Sequence, residues 1–347
     1  MPQSTGPAPH TTRHHWLRWA WIPLTLVVIA ALAQIVDVDL VWHELRAADP
    51  WRVAGMLATW LLWLALRPVR MRMLLRATAP EVAVGYNDAF GAHALGNALN
   101  GLLPMRAGEF GMLWVLNRRA HVPVAGALSA VVLDRLCDLA AAVCLLGLAT
   151  LALPNRPQVV TDGLMAVVVA LAVGTLILAL AIRLRRAALA LAGRVLPARW
   201  HPAVLPRLEG LLVGLSVLAR PAVLARAAVL SAAIWTVTAT SFTLGIGAVW
   251  PDVGLMTGAF TVGVTAMAFL VPAAPGGVGI FHAAIVFALS FFSVPAEKAL
   301  AFALLTHALT LVTGLTVAGL WTLLNGLDAR RIARDSLAAA EGEDTPA

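Results

Sequence analysis

The sequence predicts an all-α polytopic membrane protein with about eight transmembrane helices, one or two re-entrant elements and cytoplasmic N- and C-termini. Three observations carry that expectation. The 347 residues are 60% hydrophobic and 12% charged, with a mean hydropathy of +0.84, whereas a soluble domain carries about 25% charged residues. Apolar runs of membrane-crossing length recur from Trp16 to Leu324. Finally, arginines collect at alternate ends of those runs, as the positive-inside rule requires. The net charge of +7 and pI of about 11.0 fit anionic headgroups better than nucleic acid, because the arginines flank apolar segments.

Residues 1–15 form a Pro/Ser/Thr-rich tail expected to be disordered. Trp16–Val36 reads as a first span with Trp16, Trp19 and Trp21 at the interface and no small-residue cleavage site. Asp37–Asp49 is an acidic outside loop. Trp51–Leu66 returns, and Arg67, Arg70, Arg72 and Arg76 place its far end in the cytoplasm. Gly85–Leu103 contains Asn87, Asp88, His93, Asn97 and Asn100 and is too polar to face lipid. With cytoplasmic charge on both flanks it reads as a re-entrant hairpin, or else as an amphipathic helix on the membrane surface. Val122–Leu153 spans outward and Leu164–Ile182 returns to a loop holding Arg183, Arg185, Arg186, Arg194 and Arg199. Leu208–Leu218, between Arg207 and Arg220, reads as interfacial. Ala227–Trp250, Leu255–Val271, Val278–Phe292 and Ala299–Leu324 complete the spans, although Val278–Phe292 is short enough to re-enter. The membrane domain covers 16–325, and 326–347, with Arg330, Arg331 and Arg334, forms a cytoplasmic tail.

Chemistry concentrates in one stretch. Asp134, Arg135 and Asp138 sit inside the apolar run Val122–Leu153, where each charge costs about 2.5–3.5 kcal/mol on insertion scales and therefore marks a pairing network or a route. At helical spacing Asp134 and Asp138 share a face, and Asp138 can neutralise Arg135. Asp134 is then left to reach Arg106 or another arginine. Arg106, with its planar fork, suits phosphate. Glu109, Asn97, Asn100 and His282 complete the candidate route, and Pro104, Gly108, Pro275, Gly276, Gly277 and Gly279 are candidate helix breaks. Leu103-Pro104 with Gly108 and Val271-Pro272 with Gly276 repeat one spacing, a faint internal echo of paired interrupted segments. A buried structural ion network is the plainer reading of the charges, and a tight turn is the plainer reading of PGGVG.

Taken in order, Arg76, Asn97/Asn100, Leu103-Pro104-x-Arg106-x-Gly108-Glu109, Asp134-Arg135-x-x-Asp138 and Pro275-Gly276-Gly277-Val278-Gly279 resemble the lysylphosphatidylglycerol synthase transmembrane-region family over about Trp16–Leu324. The resemblance implies a flippase-like domain of the bacterial inner membrane that moves a phospholipid or lipid-linked precursor between leaflets. Two positions depart from the family pattern. His282 stands where a Glu commonly follows PGG(I/V)G, and Asp134 stands where a Glu often precedes the Arg. The soluble synthase domain of characterised relatives has no counterpart in the sequence as read here, so aminoacyl transfer is not carried over.

No HExxH, GxSxG, DGxxAR or P-loop pattern occurs, so no enzyme activity, cofactor or metal is expected. Cys137 and Cys144 read as small buried hydrophobes. The expected partners are a membrane lipid and no nucleic acid, with room for a separately encoded lipid-modifying enzyme and for a homodimer. Two rival functions remain: a membrane enzyme acting on lipid-linked sugars, for which Glu109 with Asp88 is the best acid/base pair available, and a non-transporting partner of a lipid-modifying enzyme.

Overall fold

A computed structural model describes residues 21–103, 108–153, 157–270 and 275–327. Among the described residues the chain is all-helical, with thirteen α-helices and no strand. α1 (Trp21–Ile35) and α2 (Val38–Ala47) meet at a bend of 82°. The acidic stretch read as an outside loop is therefore largely helical. Asp37 caps α2 by accepting from the Asp39 N–H at 2.9 Å, and Asp49 caps α3 (Pro50–Thr78) by accepting from the Trp51 N–H at 2.8 Å.

α3 does not stop at Leu66. It runs through Pro68 to Thr78, so Arg67 and Arg70 lie inside a buried helix and not in a cytoplasmic loop. α4 (Tyr86–Leu102) and α5 (Gly108–Trp114), which continues as a π-helical turn over Val115–Arg119, pack against each other as a hairpin. α6 (Val124–Leu151) and α7 (Gln158–Arg183) follow. The arginine-rich segment after α7 is itself helical as α8 (Arg185–Val195). α9 (His201–Leu215) docks on the start of α6, where the Ser129 hydroxyl lies 3.4 Å from the Leu211 carbonyl. Then come α10 (Pro221–Val249), α11 (Leu255–Ala268), α12 (Ile280–Ser290) and α13 (Ala296–Leu324).

Helices α7, α10 and α13 are each long and apolar enough to cross a membrane, and the bent α1–α2 pair makes a fourth if it is one span. α7 buries nothing in its most apolar window, so its side chains need lipid around them. α3 and α6 have the length, at 29 and 28 residues, but carry charges inside them. The 17 residues of α4, 14 of α11 and 11 of α12 rise about 25, 21 and 16 Å at 1.5 Å per residue, short of a hydrocarbon core of about 30 Å.

Polar contacts define two ends of the bundle. At one end the Arg52 guanidinium donates to the Gly247 carbonyl at 2.8 Å, and Lys298 reaches Glu44 at 2.9 Å. This end gathers α2 with the starts of α3, α11 and α13 and the end of α10. At the other, Asn87 donates to Asn325 at 2.9 Å, Arg119 donates to Asn325 at 2.6 Å, and the Thr78 hydroxyl donates to the Gly126 carbonyl at 3.0 Å. There the starts of α4 and α6 meet the ends of α3 and α13. An apolar cluster occupies each end. One includes Leu74, Leu75, Leu116 and Leu133, and the other includes Leu146, Ile246, Phe260, Ile285 and Phe302. Along α6, residues up to Leu133 belong to the first cluster and residues from Leu146 to the second. Asp134, Arg135 and Asp138 fall between them.

Candidate functional site

α3, α6 and α10 build the site. Proline at position 68 does not end α3, because the two flanking arginines and the apolar residues after them are held by neighbouring helices. Arg67 and Arg70 are three residues apart on α3, and Asp134 and Asp138 are four apart on α6, so each pair occupies one face of its helix. The two faces meet. Arg67 Nη1 lies 2.6 Å from both carboxylate oxygens of Asp138, while its Nη2 donates to Asp134 Oδ2 at 3.1 Å. Arg70 Nε donates to Asp134 Oδ1 at 2.9 Å and Nη2 to Asp138 Oδ1 at 2.6 Å. From α10, the Ser231 hydroxyl accepts from Arg70 Nη1 at 2.8 Å, and Trp235 Nε1 donates to Asp138 Oδ1 at 3.4 Å.

Arg135 extends this crossed arrangement toward the α4–α5 hairpin. It lies 3.5 Å from Asp138 Oδ2 and 3.2 Å from Glu109 Oε1 on α5. His93 on α4 comes within 3.8 Å of Asp134. The three arginines and three carboxylates among the described residues sum to zero formal charge. Side-chain exposure rises across the network, from 0% for Arg70 and Asp134 to 15% for Asp138, 20% for Glu109 and 34% for Arg135. One end is therefore sealed, and at the other the Arg135 side chain is partly exposed while the Glu109 oxygens stay buried. Unscreened arginine and carboxylate charges attract strongly at these separations, and multidentate pairing repays the cost of leaving water.

The sequence singled out Asp134, Arg135, Asp138 and Glu109, and the structure brings these four together. Asp138 has Arg67 and Arg70 as its nearest cations, with Arg135 farther away. Pro104 and Arg106 lie outside the described residues, so the expected pairing of Asp134 with Arg106 has no geometry here. Asp134 engages Arg67 and Arg70, which composition had assigned to a cytoplasmic loop. Ser231 and Trp235 carried no signal in the sequence beyond their place in an apolar run.

Asn100 serves the hairpin by accepting the Gly108 N–H at 2.9 Å, and a Cβ on Gly108 would overlap the Gly96 carbonyl. Asn97 faces α13, with its Nδ2 3.1 Å from where a Cβ on Gly314 would sit. At the second break Gly276, Gly277 and Gly279 all have positive φ (65°, 73° and 85°), a region that costs other residues strain. Pro275 opens this turn. A Cβ on Gly276 would approach the Gly101 carbonyl at 3.0 Å, so the second break meets the end of α4. His282 stacks on His307 of α13, ring centroids 5.1 Å apart, and takes its ring partner from there and not from the arginine–carboxylate network. Glu109 and Asp88 do not form one acidic pair: Glu109 faces Arg135, and Asp88 accepts from Arg119 at 2.7 Å. No group of three or more His, Cys, Asp or Glu suited to a metal occurs among the described residues.

Apolar helices of spanning length around a buried charge network define a multi-pass membrane protein. The family model for the lysylphosphatidylglycerol synthase TM region matches residues 19–318, and the chain belongs to that family. It is also similar to a protein named glycosyltransferase AglD from Haloferax volcanii, 29% identical over 321 residues, covering 83% of this chain and 51% of the relative. The chain thus spans about half the length of that curated relative.

Proposed function

We propose that this protein translocates a phospholipid or lipid-linked precursor between the leaflets of the bacterial inner membrane, without a catalytic step of its own. The observation that carries this reading is the exposure gradient in the neutral network. Arg135, 34% exposed, is the member of the network that a ligand can reach, although its Nε and the Glu109 oxygens beside it are buried, and behind it the pairing of Arg70 with Asp134 is fully sealed. An anionic headgroup phosphate can replace Glu109 on the Arg135 fork, and Arg67 and Arg70 hold the carboxylates behind it in place. Family membership supports a lipid as the cargo.

In the same reading α1, α3, α6, α7, α10 and α13 cross the membrane, and α4–α5 and α11–α12 are re-entrant hairpins entering from opposite sides, with the end of α4 at Gly101 close to the turn at Gly276. Six crossings replace the eight expected, because Leu255–Val271 and Val278–Phe292 become the halves of one hairpin. The even parity keeps both termini cytoplasmic. The short hairpin arms and the meeting of Gly101 with Gly276 support this arrangement.

The match to a protein named a glycosyltransferase, over 51% of its length, favours one second reading: a membrane component that works beside a lipid-modifying enzyme, alone or as a homodimer. Proteoliposomes holding this chain alone, with headgroup-labelled lipids and an impermeant quencher, separate the two. Translocation gives loss of inner-leaflet protection with wild type and retained protection with Arg135→Ala. Full protection with wild type across a broad lipid panel favours the partner reading.

A further inference from the structure

Toward the Lys298–Glu44 end from the charge network, α3, α10 and α13 enclose a cavity of about 30 Å³ behind an open mouth. Its walls include Met56, Trp60, Trp63, Phe242 and Thr306. The Trp60 and Trp63 rings stack at 4.5 Å, and the Arg67 guanidinium lies 5.1 Å from the Trp63 ring centre, so the cavity adjoins the network through one aromatic ring. Arg67 itself is turned to Asp134 and Asp138 through both terminal nitrogens. No charged side chain lines the cavity.

Most hydroxyls on its wall are satisfied by their own or a neighbouring helix. Thr59 donates to the Met56 carbonyl at 2.8 Å, Thr238 to Ile234 at 2.8 Å, Thr310 to Thr306 at 2.8 Å, and Ser241 to Met56 at 3.4 Å. Two polar atoms are left buried without a hydrogen-bond partner: the Trp60 indole Nε1 and the Thr306 hydroxyl. Thr306 is 3% exposed and forgoes the carbonyl four residues back that its neighbours use. Indole N–H only donates, and a hydroxyl can donate beside it. What fits two unmet donors in an uncharged, aromatic-walled space is a neutral acceptor with two lone pairs on an apolar carrier. A carbonyl oxygen is such a group. A single water has room there but needs two to four polar partners, and the wall offers these two unmet groups. Trp60, Trp63, Thr238 and Thr310 are only partly buried, which leaves the cavity a mouth on the outer surface of the bundle.

We propose that this cavity is a seat for an ester carbonyl of a diacyl membrane lipid, held by Trp60 and Thr306 one aromatic ring away from the arginines. The site deepens the proposed function and rests on the reading of this chain as a lipid-binding protein. It adds a determinant of the glycerol-ester region to the determinant of the headgroup.

The test compares diester phosphatidylglycerol with its dialkyl ether counterpart, identical in headgroup, by counting lipids retained on the full chain in native mass spectrometry. Wild type should retain the diester about five- to tenfold better, the scale of one to two hydrogen bonds. That preference should fall to near unity in Thr306→Val, which keeps size and removes one donor, and in Trp60→Phe, which keeps an aromatic wall and removes the other. Equal retention of the two lipids by wild type overturns the proposal, as does a preference that survives in both variants. Retention of neither lipid by wild type overturns the lipid-binding reading along with it. Should both variants fail to fold, the infrared band of a ¹³C-labelled ester carbonyl bound to wild type decides. A hydrogen-bonded, red-shifted band supports the seat, and a band at the position of free ester removes it.

Discussion

Replacing Asp134 by Asn tests the sealed end of the network against its open end. Asp134 is fully buried and faces Arg67 at 3.1 Å and Arg70 at 2.8 Å. The neutral amide keeps the shape but leaves Asp138 and the more distant Glu109 facing three arginines, a formal +1 in a site that was neutral. Removing one partner of a buried ion pair costs about 3–5 kcal/mol, because the other charge stays desolvated. Arg135→Gln removes a charge that is 34% exposed but leaves the buried Glu109 oxygens without their cation at 3.2 Å, so its cost lies between the roughly 0–1 kcal/mol of an exposed pair and that of a buried one. Asp134→Asn should therefore destabilise more than Arg135→Gln. Titration with denaturing detergent in mixed micelles, read by helical circular dichroism, gives both values on one scale. Lipid movement in proteoliposomes should rank them differently: Arg135→Gln should lose transport while remaining more stable than Asp134→Asn. Equal destabilisation by the two substitutions would refute the sealed-to-open gradient. Wild-type transport by a stable Arg135→Gln protein would refute the placement of the open end on the lipid route.

Three further outcomes follow from named contacts. Gly277→Ala places a side chain on a residue at φ 73° and against the Phe269 ring; the αL penalty alone is about 1–2 kcal/mol, so the variant should unfold earlier in the same titration, and an unchanged midpoint would mean that the turn is not held as described. In a background lacking Cys137 and Cys144, Val278→Cys should resist a bulky impermeant maleimide from the cytoplasmic side, whereas strong cytoplasmic labelling would restore the reading of α11 and α12 as two separate spans. Trp321→Phe removes an indole N–H that donates to Asn87 Oδ1 at 3.0 Å and to its carbonyl at 3.1 Å; faster amide hydrogen exchange at the start of α4, with α10 unchanged, should follow from losing a bond worth about 0.5–1.5 kcal/mol.

Asp134, Arg135 and Asp138 were legible in the sequence because charge inside a long apolar run is expensive and so informative. Arg67 and Arg70 were not, for an equally physical reason. Four arginines within ten residues, with a proline among them, carry the same composition as a cytoplasmic loop, and only the continuation of α3 to Thr78 separates the two cases. Their spacing held a usable signal, since arginines three apart and aspartates four apart each make one helical face of matching charge. Ser231 and Trp235 had no such signal, as either residue is ordinary in an apolar helix. The α11–α12 pair was half legible: Val278–Phe292 was visibly short, but hydropathy does not report that its neighbour α11 is short as well.

The position of the network between two apolar clusters bears on how a route could run through a bundle this well packed. Leu133 and the residues before it on α6 are locked with α3, α4 and α5, while Leu146 and the residues after it are locked with α10 to α13. The charged turn between them is held largely by hydrogen bonds and ion pairs to α3 and α10. Such polar contacts exchange partners at nearly constant energy, provided that each charge always has a partner, whereas interdigitated apolar contacts are lost outright when they separate. A headgroup that brings its own phosphate to Arg135 meets that condition, because it supplies an acceptor as Glu109 leaves. Gly101, at the end of α4 in the hairpin that carries Glu109, lies close to Gly276. On the proposed route, a substitution that weakens the Gly101–Gly276 approach should alter lipid movement even with every charge of the network in place, and unchanged movement would separate that approach from the route.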